Sequence, residues 1–219
     1  EVIVIVSKPP APASAAKVRS AAAACSTPTV LCLIGEETLE AGAAAALAAL
    51  GVDAPPAASW PADGDHRPGT LKGLFSGGTL RDEARMVLAG LMGEAAGDLA
   101  MIDFGDDEYT RGRPHPMIDQ RLRLEHLEAT AADRTVGVAL LDVVLGYGAH
   151  ADPASELAPV IEGCVEHDLA VVVSLCGSRG DPQDRDRQAA TLNEAGAAVF
   201  LSNAAAAAHA HALLEGGGA

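Results

Sequence analysis

"VGVALLDVVLGYGAHADP" (residues 136–153) opens with nine residues of which only Gly137 and Asp142 are not apolar. Polar and apolar positions do not alternate along it. A strand that is apolar on successive residues is covered on both faces, as in a parallel sheet with helices on either side. The run ends in Gly146-Tyr147-Gly148 and then Asp152-Pro153, a helix cap followed by the residue favoured at a first helical position. A buried strand, a glycine-bounded loop and a helix start therefore follow one another directly.

The same unit recurs on both sides. Short apolar runs occupy 2–7, 29–34, 72–76, 99–104, 169–176 and 197–202, and none alternates strictly. Between them the patterns predict helices over 11–24, 37–50, 79–92, 117–131, 153–166, 184–195 and 204–214. Such alternation means an α/β fold with right-handed crossovers. The stretch "GVDAPPAASWPADGDHRPG" (51–69) is rich in Pro, Gly and acid and reads as a linker over 52–69. Before it, residues 1–51 hold two βα units, part of an α/β domain. After it, residues 70–214 hold five strands and five helices, a complete flavodoxin-like doubly wound parallel sheet. Glu1 leads at once into "VIVIV", which reads as a processed chain or a piece of a longer protein, and "GGGA" (216–219) reads as a frayed tail.

Composition narrows the function classes. A formal net charge of −15 over 219 residues disfavours nucleic acid and anionic membranes as partners. No apolar run approaches the roughly 18 residues of a membrane span. Cys25, Cys32, Cys164 and Cys176 form no C-x-x-C pair, so no structural metal site is expected, and a reduced, cytoplasmic protein is the plain expectation.

Ligands of open parallel sheets bind beyond the carboxyl ends of the strands, and here each strand end is polar or glycine-rich. Ser76-Gly77-Gly78-Thr79 leads into a helix, with Thr79 as a cap and Asp82 and Glu83 as first-turn acids, and such a helix start suits a phosphate or carboxylate. An ordinary tight turn fits the same residues. Gly146, Tyr147, Gly148 and His150 follow 136–144, where Asp142 is a carboxylate in need of a partner. Cys176 and Gly177 end 169–176, and Ser202 or Asn203 caps the last helix. Lys8, after the first strand, either reaches a phosphate or is merely solvated. Finally "IDFGDDEYTRGRPHPMID" (102–119) carries Asp106, Asp107 and Glu108, then Arg111, Arg113 and His115. Its two prolines hold His115 extended. The arginines read as a clamp on an anion, or as partners of the acids. The acids alternatively read as ligands of a divalent cation such as Mg²⁺.

"GLFSGGTLRDEA" (73–84), "IDFGDDEYTRGRPHPMID" (102–119) and "LLDVVLGYGAHADP" (140–153) together resemble the FdrA family, an acyl-CoA-synthetase-like group related to the succinyl-CoA synthetase subunits. The likeness runs through most of the chain. It implies a CoA-ligase-type module that works with other subunits. The "GEETLEAG" after the second strand departs from the synthetases, which carry a phosphate-transferring histidine in that loop. FdrA-type proteins are similar to a subunit of a carbamoyltransferase of purine (allantoin) breakdown. That resemblance implies exchange of a carbamoyl group between a ureido acid such as oxalurate and phosphate, with carbamoyl phosphate as product. The other implied reading is a ligase using CoA and a nucleotide. For either, phosphate and carboxylate would meet Arg111, Arg113 and the helix starts. Glycine N–H groups at 77, 78, 146 and 148 would meet an oxyanion, and His115 or His150 would move the proton.

Overall fold

The computed structural model describes residues 1–62 and 66–215; the "GGGA" tail lies outside them. The first part consists of β1 (Ile3–Ser7), α1 (Pro12–Ala23), β2 (Thr29–Leu33) and α2 (Leu39–Ala49). β1 and β2 pair in parallel as a two-stranded sheet. Then come β3 (Ser59–Trp60), β4 (Thr70–Phe75), α3 (Gly78–Met92), a 3₁₀ turn (Gly93–Asp98), β5 (Ala100–Asp103), α4 (Asp107–Thr110) and α5 (Arg121–Ala132). The chain finishes with β6 (Val136–Val144), α6 (Pro153–Glu166), β7 (Ala170–Cys176), α7 (Arg185–Glu194), β8 (Ala198–Phe200) and α8 (Asn203–Glu215).

The main sheet has six strands in the order β3-β8-β7-β6-β4-β5. All neighbours are parallel except β3, which runs antiparallel to β8. From β4 onward the order is the flavodoxin-like 2-1-3-4-5, and the direction of winding reverses between β4 and β6. The molecule is therefore an α/β protein built on a doubly wound, mostly parallel sheet.

The apolar runs account for this. On one face of the sheet Leu141, Val143, Val173 and Leu175 meet Leu127 of α5, Leu157 and Ile161 of α6 and Leu192 of α7. On the other, Phe75, Leu140 and Val172 meet Leu88 of α3 and Ala206, Ala207 and Ala210 of α8. The alanine-rich last helix is thus a core element whose small side chains let it lie close to the sheet, with those three alanines wholly buried.

The structure corrects several local readings. The stretch expected as a linker contributes β3, an added edge strand held by Ser59 and Trp60 against Phe200 and Val199. The helix expected from 117 begins at Arg121, because His115 O first accepts the Ile118 and Asp119 amides in a turn. The acid-rich loop before it holds a four-residue helix, α4, capped by the Asp106 carboxylate through Glu108 N at 3.1 Å. α3 starts at Gly78 with Gly77 as its cap residue, and Thr79 makes no cap. Asp82 turns to Arg81, and Glu83 turns to Asn203 and Leu39, so neither acid serves the first turn. Asp152 precedes α6 as expected, but its carboxylate takes Gln188 and Arg187 instead of a helix amide. Ser202 does cap α8, through Ala205 N at 3.1 Å.

Candidate functional site

The crossover switch between β4 and β6 opens a pocket of about 460 Å³. Its walls include Ser76, Gly77, Gly78 and Thr79 after β4, Asp103 and Gly105 after β5, His115 and Met117 beyond α4, Asp142 of β6 and Cys176 of β7. Lys8 and Leu39 reach it from the first part of the chain.

The pocket is framed by a buried polar knot. Asp142 accepts hydrogen bonds from Ser76 N at 2.7 Å and Ser76 Oγ at 2.8 Å. Arg123, from α5, donates to the Asp142 carboxylate and to its carbonyl oxygen, both at 2.6 Å, and to Gln120 Oε1 at 2.9 Å. Burial is the largest influence on Asp142 and raises its pKa, while the Arg123 charge and the Ser76 donors oppose it. Satisfying a buried carboxylate in this way fixes the end of β4 against β6, and with it the start of α3. The sequence marked Asp142 as needing a partner. Nothing marked Arg123, which sits in the charged pattern "RLRLEHLE" and looks like a solvated residue.

The first amides of α3 have no acceptor within the helix, and no side chain caps them. They face the same space as Lys8. A side chain on Gly78 would bring its Cβ to 2.6 Å from Lys8 Nζ and 2.7 Å from Asp103 Oδ2, so glycine makes room for both. Asp103 is itself held by Gly105 N at 2.9 Å and lies 3.8 Å from Arg81. His115 Nδ1 accepts from Met117 N at 3.3 Å, which leaves the neutral ring's proton on Nε2. That nitrogen lies 2.8 Å from where a Cβ on Gly105 would stand. One cation, one imidazole N–H and a helix start therefore share the pocket with two carboxylates, each already ion-paired with an arginine.

Of the residues expected at a site, Ser76, Gly77, Gly78, Thr79, His115 and Cys176 line this pocket. The others lie elsewhere. Arg111 and Arg113 are exposed and make no ion pair among the described residues, with their neighbouring acids or otherwise. Arg113 instead lines a separate cavity beside Tyr109 and Arg121. Instead of forming a clamp, they flank a turn in which Gly112 takes φ +73°. His150 staples its loop: Nδ1 accepts from Asp152 N at 3.1 Å and Nε2 stands 3.3 Å from Glu156. Gly146 is gripped by the buried Gln183, and Tyr147 stands 90% exposed at the loop tip beside Gly148. Gly177 packs under Leu145. Asn203 lies in a neighbouring chamber. Cys176 sits at the strand tip, where surrounding protein, then Asp142 and Asp181, raise its thiol above the ordinary range, the opposite of an activated thiolate. Among the described residues no cluster of three His, Cys, Asp or Glu is placed to hold a metal ion. No helix among them is long and apolar enough to cross a membrane.

A pocket at the switch point of such a sheet, lined by a glycine-rich helix start, agrees with what comparison with known proteins finds. The CoA-ligase family model matches residues 74–213. The chain belongs to the CoA-ligase family. The matched span covers the sheet from the end of β4 through most of α8, and so contains every wall of the pocket except Lys8 and Leu39. The chain is also similar to the uncharacterized protein YahF of Escherichia coli (strain K12), 30% identical over 249 residues. That match takes in 93% of this chain and 48% of the relative, so the chain spans about half of its length.

Proposed function

We propose that this CoA-ligase-family chain is of the FdrA type and forms part of a carbamoyltransferase, moving carbamoyl between a ureido acid and phosphate. The observation that carries the reading is the convergence of Lys8, the uncapped start of α3 and His115 on one pocket. Lys8 and the α3 amides suit the hydrogenphosphate dianion. Its oxygen attacks the ureido carbonyl carbon of oxalurate, and a C–O bond forms. The carbonyl oxygen becomes an oxyanion that accepts a hydrogen bond from the Nε2–H of His115, a donor oriented by Met117 N. Collapse breaks the C–N bond, and the proton of the hydrogenphosphate ends on the departing nitrogen. The products are carbamoyl phosphate and oxamate. Other subunits complete the enzyme in this reading.

Membership of the CoA-ligase family favours a second reading, an acyl-CoA ligase that uses CoA and a nucleotide. Lys8 is the only Lys or Arg among the described walls of the pocket, which suits one phosphate group better than the several of CoA. The deciding experiment incubates the full-length protein and its partner subunits with oxalurate and phosphate, and separately with an acyl acid, CoA and ATP. Carbamoyl phosphate in the first mixture supports the proposal. A CoA thioester in the second, with no carbamoyl phosphate in the first, overturns it.

A further inference from the structure

Asp103 ends β5, is 9% exposed and lines the switch-point pocket. One of its carboxylate oxygens is engaged, since Oδ1 accepts from Gly105 N at 2.9 Å. The other, Oδ2, accepts no hydrogen bond among the described residues. It faces Arg81 at 3.8 Å, an ion pair too long for a hydrogen bond, and Arg81 donates through Nε and Nη2 to Asp82 instead.

Two glycines leave this carboxylate between a cation and an imidazole. Oδ2 and Lys8 Nζ lie 2.7 and 2.6 Å from where a Cβ on Gly78 would stand. Oδ1 and His115 Nε2 lie 3.1 and 2.8 Å from the corresponding point on Gly105. Yet neither Lys8 nor His115 forms an ion pair with Asp103 or with any other acid among the described residues. Each pair is close but open. Lys8 is brought there by the first part of the chain, which docks where Leu39 N donates to Glu83 and Ser202 donates to Glu40.

A carboxylate oxygen left open in an anion pocket is a restriction on the anion. An ionised carboxylate can only accept hydrogen bonds. It repels an anion that carries no proton and holds one that does, which is discrimination by an unfavourable contact as well as a favourable one. Near neutral pH hydrogenphosphate carries a proton, and sulfate, also a tetrahedral dianion, carries none.

We infer that Asp103 is a specificity-determining residue of this pocket, which admits a tetrahedral anion bearing a proton and rejects one without. The inference rests on the pocket being the phosphate site of the proposed transfer. The anion sits over Gly78, and its P–OH donates to Asp103 Oδ2 while its bare oxygens face Lys8 and the uncapped amides of α3. The contact also fixes which oxygen keeps the proton and leaves a bare one to attack.

The test is calorimetric titration of the full-length protein near neutral pH with inorganic phosphate, arsenate and sulfate in turn. Arsenate, like phosphate, carries a proton there. The wild type is expected to bind phosphate and arsenate comparably, and sulfate at least about tenfold more weakly, the usual effect of one hydrogen bond to a charged group. Asp103→Asn keeps an acceptor for Gly105 N and gains an amide donor. It is expected to bring sulfate within about threefold of phosphate. Lys8→Ala is expected to weaken all three anions. Sulfate bound by the wild type as tightly as phosphate, or an unchanged preference in Asp103→Asn, overturns the assignment. If that variant does not fold, the wild-type comparison of arsenate with sulfate decides. No saturable phosphate binding, or binding insensitive to Lys8→Ala, overturns instead the phosphate reading on which the assignment rests.

Discussion

Arg123 and Asp142 meet at 2.6 Å with almost no solvent exposure on either side chain, 4% and 1%. They join the face of α5 to the strand that bounds the site. Their value is not the attraction alone, since bringing both charges out of water costs several kcal/mol each. It lies in what happens when one partner is lost. Arg123→Met leaves the Asp142 carboxylate buried with only Ser76 to satisfy it. We expect a loss of about 3–5 kcal/mol in chemical denaturation. Met at 123 together with Leu at 142 should recover much of that loss, and a double variant no more stable than Arg123→Met would contradict this account.

Gly78 is a steric prediction. Its missing side chain leaves space for Lys8 Nζ and the Asp103 carboxylate, both within 2.7 Å of where a methyl carbon on this residue would stand. Gly78→Ala improves helix propensity, yet it should weaken phosphate binding about tenfold or more by pushing Lys8 away, at a stability cost of about 1–3 kcal/mol. Titration of phosphate into the variant decides it. Unchanged affinity would mean that Lys8 and the helix start do not act together.

The histidine and arginine of "GRPHP" should behave differently. His115→Ala removes the proposed oxyanion donor and should lower kcat by about 10²–10³ with little change in KM for phosphate. Arg113→Ala removes an exposed side chain outside the pocket. It should change phosphate affinity by less than about twofold, as expected of an exposed residue that does not line the pocket. Steady-state kinetics of the two variants in the assembled enzyme separate these roles.

Acid should destabilise the fold through two histidines. Burial, then the Lys72 charge, lowers the pKa of His126, which lies edge-on to Phe104 at 4.8 Å. Burial also lowers that of His209, which sits 5.0 Å from Phe200. In both, the unfolded chain takes up a proton more readily than the folded one, so stability rises with pH. The contribution is complete above the unfolded value of about 6.5 and is lost as pH falls through the lower folded value. Melting temperatures should drop on going from about pH 7.5 to about pH 5.5. Replacing His209 with Gln should flatten part of that drop.

The sequence by itself determined the class of fold and the edge at which the polar strand ends gather. Continuous apolar runs such as 136–144 are strands buried on both faces, and the polar and glycine residues at their ends, from Ser76 to His115, had to come together at one edge. Periodicity carries this because it reports burial, and strands buried on both faces, as β6 and β7 are, leave few topologies, although β1 with the same pattern stays largely exposed. It did not determine which strand-end residues share a pocket. Arg111 and Arg113 look like an anion clamp in sequence, but a one-turn helix and a proline turn leave them in solvent. Lys8, distant in sequence and ordinary in pattern, is brought to the start of α3 because α2 docks on Glu83 and Ser202. Arg123 reads as a surface charge and is buried, because the strand order places Asp142 beside it. These are contacts between elements far apart in the chain. No local propensity encodes them, so only the tertiary packing decided where the charges of the site stand.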